Sequence, residues 1–268
     1  MRSKRRGRWC ITAFSNNRMT SATIAHQPKP NSEYSGDENL EVMGAMNNYN
    51  QWIYDTIAPY LGRRILEAGC GNGNITRYIL QRSGIERYVG VDLSSAFCRS
   101  LEQSAWPQAP GTCVFKALDL QDPGLVDLAQ PPFDSIVCLN VLEHIEHDRE
   151  LLERMLTMLE PGGRLILIVP AFQQLYGTID AIDHHYRRYT RPRLTSLVQR
   201  AGFNVRCAFY FNVMGIPAWI WHGKIRKLTT HPKSEMTLWD RAVPWLQKLE
   251  RWVPIPCGLS VVLIAEKS

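Results

Sequence analysis

No two of the chain's seven cysteines stand in a Cys-x-x-Cys pair. Their scatter argues against a disulfide framework and a thiolate zinc site, and points to a reducing, cytoplasmic setting. No apolar run approaches the roughly 18 residues needed to cross a bilayer. The longest candidates, Phe211 to Trp221 and Pro254 to Ala265, are short and carry prolines. Acidic residues are missing from positions 1 to 32, which hold Arg2, Lys4, Arg5, Arg6, Arg8, Arg18 and Lys29. The net charge of +6 therefore belongs to this tail, and the rest of the chain carries a net charge of −1. A near-neutral body lacks the basic face expected of an enzyme acting on RNA or DNA, so no nucleic acid partner is expected.

The tail, residues 1 to 38, reads as a basic, disordered and dispensable extension. Other readings are an arm attracted to anionic surfaces, a transit-like peptide, or sequence upstream of a working start at Met19. The remainder, 39 to 268, shows no internal repeat and only one glycine loop, so it reads as a single domain. Its 45% hydrophobic and 21% charged composition is that of an ordinary globular protein.

The most constraining segment is Ile65-Leu66-Glu67-Ala68-Gly69-Cys70-Gly71-Asn72-Gly73. A hydrophobic strand runs into three alternating glycines, which let the backbone turn sharply and approach a ligand with no Cβ between them. A dinucleotide fingerprint would need a glycine at position 74 or 76, where the chain has Asn74 and Thr76, so a nicotinamide enzyme is disfavoured. The segment resembles instead the Glu/Asp-x-Gly-x-Gly-x-Gly motif of class I S-adenosylmethionine-dependent methyltransferases, matched at every defined position. Asp92 ends the next apolar run about 20 residues on, where an acid reaches a ribose in wound nucleotide-binding sheets. Its bland role would be a helix N-cap for Leu93-Ser94-Ser95.

Further along, helices and strands alternate, which implies a parallel sheet covered on both faces. Strands are expected at Arg64 to Ala68, Tyr88 to Val91, Val114 to Leu118, Ser135 to Asn140 and Leu165 to Val169. Helices are expected at Asn74 to Gln81, Ala96 to Gln103, Arg149 to Leu159 and after Thr190. The resemblance implies an α/β, Rossmann-like fold: a mostly parallel seven-stranded sheet with an antiparallel C-terminal strand. The closing pair would be Val205 to Phe211 and Leu259 to Ala265. Between them, residues 212 to 257 form a Trp-rich insertion, too long for a hairpin connection and expected to be helical.

By the same resemblance S-adenosyl-L-methionine is the cofactor, held by Glu67, Gly69, Cys70, Gly71, Gly73, Asp92, Leu93, Asp119, Leu120 and Asn140, with Tyr49 and Trp52 on a leading helix as lid residues. Tyr49, Trp52, Ile53 and Ile57 also fit an aromatic and aliphatic stripe packed on the core. On the acceptor side stand Glu143 and His144 after the fourth strand, and His185 within Asp180-x-x-Asp183-His184-His185-Tyr186-Arg187-Arg188-Tyr189. His144 is the first choice of base, because imidazole titrates in the working range. The expected function is methyl transfer to a small-molecule or lipid-like acceptor, with peripheral membrane contact through Lys224, Arg226 and Lys227 as a further option. The alternatives are a metal-assisted O-methyltransferase using Glu143, Glu146 and His147, with His184 as a further ligand, and a catalytically silent cofactor binder. Neither the methylated atom nor the oligomeric state is legible in the sequence.

Overall fold

The computed structural model describes residues 37–106, 111–228, 230, 232–252 and 256–268. The basic extension up to residue 36 lies outside the described residues. Two helices lead, α1 (Asp37–Gly44) and α2 (Asn47–Ile57). Then β1 (Arg64–Ala68), α3 (Thr76–Ile79), β2 (Arg87–Asp92), α4 (Ser95–Glu102), β3 (Thr112–Ala117), β4 (Phe133–Leu139), α5 (Asp148–Met158) and β5 (Leu159–Pro170) alternate along the chain. After α6 (Thr178–Ile182) and α7 (Arg191–Arg200) come β6 (Asn204–Phe211), the insertion helices α8 (Gly215–Trp219) and α9 (Lys233–Trp252), and finally β7 (Ser260–Glu266).

The seven strands lie in the order β3-β2-β1-β4-β5-β7-β6. β7 runs antiparallel to both neighbours, while the β1 to β5 pairings are parallel. Alternation along the strands explains the two-sided core. Ile65, Tyr88, Val137, Ile166 and Ile264 face one apolar cluster, and Leu66, Val89, Ile136, Leu165 and Leu263 the other. Leu151, Leu152 and Met155 of α5 and Leu194 and Val198 of α7 cover the second face. Ile53 and Ile57 of α2, Leu101 of α4 and Val243 of α9 cover the first. Thr190 caps α7 as expected, accepting the amide of Arg193, with Pro192 in the first turn.

Two local expectations change. The helix after the glycine loop is confined to Thr76–Ile79, because the side-chain amides of Asn72 and Asn74 both turn to the Leu40 carbonyl and hold the preceding residues in a turn. The cap before α4 is Ser94, which accepts from Phe97; Asp92 accepts instead from the Ser94 amide at 2.9 Å. The insertion contains α8 and α9. It is fastened to α2 by the Asp240 carboxylate, which accepts the amides of Asn48 at 3.2 Å and Tyr49 at 2.9 Å. Helix α2 has no side-chain cap of its own, so a residue 191 positions away supplies acceptors for its free amides.

Candidate active site

The turn after β1 is built on three glycines with positive φ: Gly69 at 84°, Gly71 at 51° and Gly73 at 85°. A side chain at Gly69 would place its Cβ 2.2 Å from Val141 Cγ2, so steric room as well as dihedral freedom requires glycine there. The amides of Gly69 and Cys70 donate to the Val91 carbonyl at 2.7 and 3.0 Å, and the amide of Gly71 donates to Asp92 Oδ2 at 2.8 Å. The end of β2 thus fixes the turn leaving β1. Cys70 is buried under the loop, its Sγ 3.2 Å from the place a Cβ on Gly90 would take, which supports a packing role.

Glu67 lies beneath this loop. Its carboxylate accepts hydrogen bonds from Thr76 Oγ1 at 2.9 Å and from the Tyr88 hydroxyl. Burial pushes its pKa up to about 7 against those two bonds. Around the loop, Leu93 is 70% exposed beside the half-buried Asp92. Asp119 accepts the amide of Gln121 at 2.8 Å, and Leu120 is buried. Asn140 is exposed at the end of β4 with φ 52°, a conformation asparagine tolerates well.

From the other side α1 covers the loop. Leu40 supplies the carbonyl met by Asn72 and Asn74, and its side chain lies against Gly71. Asn39 of the same helix donates to Asp183 at 3.2 Å. Tyr49, expected at the cofactor, lies on α2 and is tied to the insertion by Asp240. Its ring packs on Trp52 and Phe211, and burial drives its pKa up to about 12.

Because β4 and β5 are neighbours, the loops at their carboxyl ends meet. Glu143 is fully buried and neither carboxylate oxygen has a hydrogen-bond partner. Burial pushes its pKa up to about 7, with His185 and Arg188 pulling the other way. The His144 and His185 rings pack edge to face, 4.5 Å between centroids. Burial, aided by the charge of His185, lowers His144 to about 4. That leaves it neutral and a weak base. Burial also works against charge on His185, yet the Asp180 hydrogen bond and the carboxylates of Glu143, Asp180 and Asp183 outweigh it and raise its pKa.

Asp180 organises the loop after β5. Fully buried, it accepts from His185 Nδ1 at 2.7 Å, Arg188 Nε at 2.8 Å and the Gly177 amide at 2.8 Å. The buried Arg188 guanidinium also bonds the Ala171 carbonyl and lies 4.4 Å from the ring centre of Trp219. Tyr189 and Arg187 share Asp148, at 2.9 and 2.8 Å. The expected trio of Glu143, Glu146 and His147 does not assemble. Glu146 and His147 are exposed, and among the described residues the acids and imidazoles that converge are Glu143, His144 and His185. His184, the further ligand expected, is likewise not part of that group. Two segments 41 residues apart contribute to it, and only the adjacency of β4 and β5 could have signalled the pairing.

Met43, Tyr49, Trp219, Trp221, Met236 and Trp239 contribute to the walls of a mainly apolar cavity of about 300 Å³. Its polar features are Asn212 and the pair His222 and Glu235, 2.7 Å apart. Of the basic residues expected at a membrane, Lys224 is tied to the Gln174 carbonyl and Arg226 to Glu235.

A methyltransferase-domain family matches residues 36–208. The chain belongs to the class I S-adenosylmethionine-dependent methyltransferases. This methyltransferase is 23% identical over 153 residues to the ubiquinone biosynthesis O-methyltransferase of Paracidovorax citrulli, covering 53% of this chain and 62% of the relative. It is 30% identical over 173 residues to the tRNA U34 carboxymethyltransferase of Azotobacter vinelandii, covering 59% and 52%. Matches to both relatives thus span less than two thirds of their length. A solved S-adenosylmethionine-dependent methyltransferase from Archaeoglobus fulgidus shares the fold, with a TM-score of 0.51, 17% identity and coverage of 85% and 96%. The enzyme's cofactor is S-adenosylmethionine. The residues present fit it: backbone rather than side chains lines the loop, a carboxylate stands at the end of β2, and an exposed leucine lies beside that carboxylate. Among the described residues no helix is long and apolar enough to cross a membrane.

Proposed function

We propose that this methyltransferase acts on a small, largely apolar or lipid-like acceptor held in the cavity under the Trp-rich insertion. The observation that carries the reading is the cavity itself. Its volume of about 300 Å³ lies at the lower end for small-molecule sites, and its lining is apolar with a few polar groups, the usual makeup of such sites. One wall is α1, whose Leu40 covers the glycine loop. Another is Trp219, stacked on the arginine that holds Asp180 and through it His185. Through these intervening residues the cavity is linked to both halves of the site.

S-adenosylmethionine, when bound, supplies a methyl group activated by a positive sulfur. The backbone from Gly69 to Gly73, with Cys70, Asp92, Leu93, Asp119, Leu120 and Asn140, would hold it, and Glu67 positions the loop from beneath. Asp92, fixed by the Gly71 and Ser94 amides, would meet the ribose hydroxyls. Glu143, His144 and His185 face the acceptor side, where Glu143 offers carboxylate oxygens that no other group occupies. The cavity walls align the acceptor and exclude water, which is most of what an in-line displacement asks of a protein.

A lipid-like acceptor is further supported by the outer surface of the insertion. Leu238, Trp245 and Leu249 fall on one stripe of α9 and are exposed, with Arg241 and Lys248 beside them. The test is incubation with methyl-labelled S-adenosylmethionine and separated lipid, metabolite, RNA and protein fractions. Label is expected in the lipid or apolar metabolite fraction and lost in Ala218→Phe, which fills the cavity. Label in RNA or protein overturns the reading.

A further inference from the structure

A carboxylate buried with both oxygens bare is costly unless something meets it. Glu143 is in that position, and the groups nearest in chemistry are two imidazoles. Ligand atoms of Glu143, His144 and His185 all lie within 4.8 Å of one another. Each ring is already held by a hydrogen bond. His185 holds Asp180 with Nδ1 at 2.7 Å, and His144 is hydrogen-bonded to the Asp183 backbone. Each histidine is therefore oriented by an oxygen acceptor. A carboxylate behind a histidine is the arrangement that sets tautomer and ring direction in metal sites.

We infer that Glu143, His144 and His185 form a binding site for a first-row divalent transition-metal ion, with Asp180 and the Asp183 carbonyl as its outer support. Two imidazoles and one carboxylate suit manganese, iron, cobalt or zinc better than magnesium or calcium, which favour oxygen donors. Donors bound at roughly 2.1 Å cannot stand more than about 4.2 Å apart. Entry of the ion closes the three side chains by several tenths of an ångström. Three protein ligands leave positions for water or for an acceptor oxygen, so the site deepens the function proposed above and rests on it for its role, though not for its existence. It differs from the sequence-based trio, since Glu146 and His147 take no part.

The test is titration of chelator-stripped, tag-free full-length protein with Mn²⁺ alone, following free Mn²⁺ by its paramagnetic resonance. Manganese has little affinity for the chain's thiols, so cysteine binding does not obscure the result. One equivalent is expected to bind. Glu143→Gln and His185→Gln should each weaken binding tenfold or more, Asp180→Asn by 10- to 100-fold through loss of the outer support, and His147→Ala not at all. Thermal melting of each variant separates loss of the site from loss of the fold, and His144→Gln serves as a fourth ligand-side variant if one of these unfolds. Absence of a saturable site overturns the inference, as does binding that survives Glu143→Gln and His185→Gln. Affinity for S-adenosylmethionine, measured separately, is expected to persist in stripped protein. Loss of the metal site is thereby distinguishable from failure of the methyltransferase reading.

Discussion

Asn48 donates its side-chain amide to the main-chain carbonyl of Asp240 at 3.1 Å. That carbonyl needs a partner because the residue four positions on is Pro244, which has no N–H to give. A proline inside a 20-residue helix is thus accommodated by a side chain from α2, while the Asp240 carboxylate returns acceptors to the amides of Asn48 and Tyr49. The two helices complete each other's backbone hydrogen bonding.

Asp240→Ala removes the acceptors of the α2 amino end and should cost about 1–2 kcal/mol, the range of a lost helix cap. Cofactor affinity is expected to change little, because the glycine loop is held by Asp92 and Leu40. Acceptor turnover should fall through a higher KM as the cavity wall carrying Met236 and Trp239 loosens. Urea unfolding, calorimetry with S-adenosylmethionine and steady-state kinetics check the three parts separately.

Gly69→Ala meets two obstacles, a φ of 84° and Val141 Cγ2 at 2.2 Å. The variant should lose at least tenfold in cofactor affinity and melt at lower temperature. Adding Val141→Ala relieves the clash and leaves the dihedral strain, worth about 1–3 kcal/mol. The double variant should therefore recover only part of the loss, and full recovery would assign the whole effect to sterics.

Glu67 predicts a pH dependence of known sign. Its pKa in the fold is about 7 against an ordinary 4.5, so the folded state binds the proton more tightly. The associated stability is complete below about pH 4.5 and disappears as pH rises through about 7. Glu67→Gln cannot ionise. Relative to wild type it should gain on the order of 3 kcal/mol between pH 4 and pH 9. Denaturant titrations at both pH values measure the change, and a difference that stays constant would show that the carboxyl titrates normally.

Trp245→Glu with Leu249→Glu places two charges on the exposed stripe of α9. Wild type should float with vesicles containing phosphatidylglycerol and the variant should not, with unchanged melting temperature, since both side chains are exposed. Equal recovery of both proteins with the vesicles would remove this stripe from any membrane contact.

Residues whose role is set by short-range backbone geometry were the legible ones. The glycines, Asp92, Thr190 and the strand alternation announce themselves within a few positions, and the order of elements followed from them. What the sequence hid lies in contacts between distant segments. Asp240 capping α2, Arg188 stacking on Trp219, and Glu143 meeting His185 depend on which loops the sheet brings side by side. His144 shows the limit in another way: its type indicated a base, and the burial that lowers its pKa is a property of the assembled fold.

The antiparallel β7 is wedged between β5 and β6 and contributes the buried run Val261 to Ala265. These residues follow the whole insertion in the chain. Without them, β5 and β6 each present an unpaired backbone edge, and a chain cut at residue 257 would expose both permanently. Such a fragment keeps every residue named in the catalytic site and is nonetheless expected to aggregate, so assays of shortened forms must retain β7.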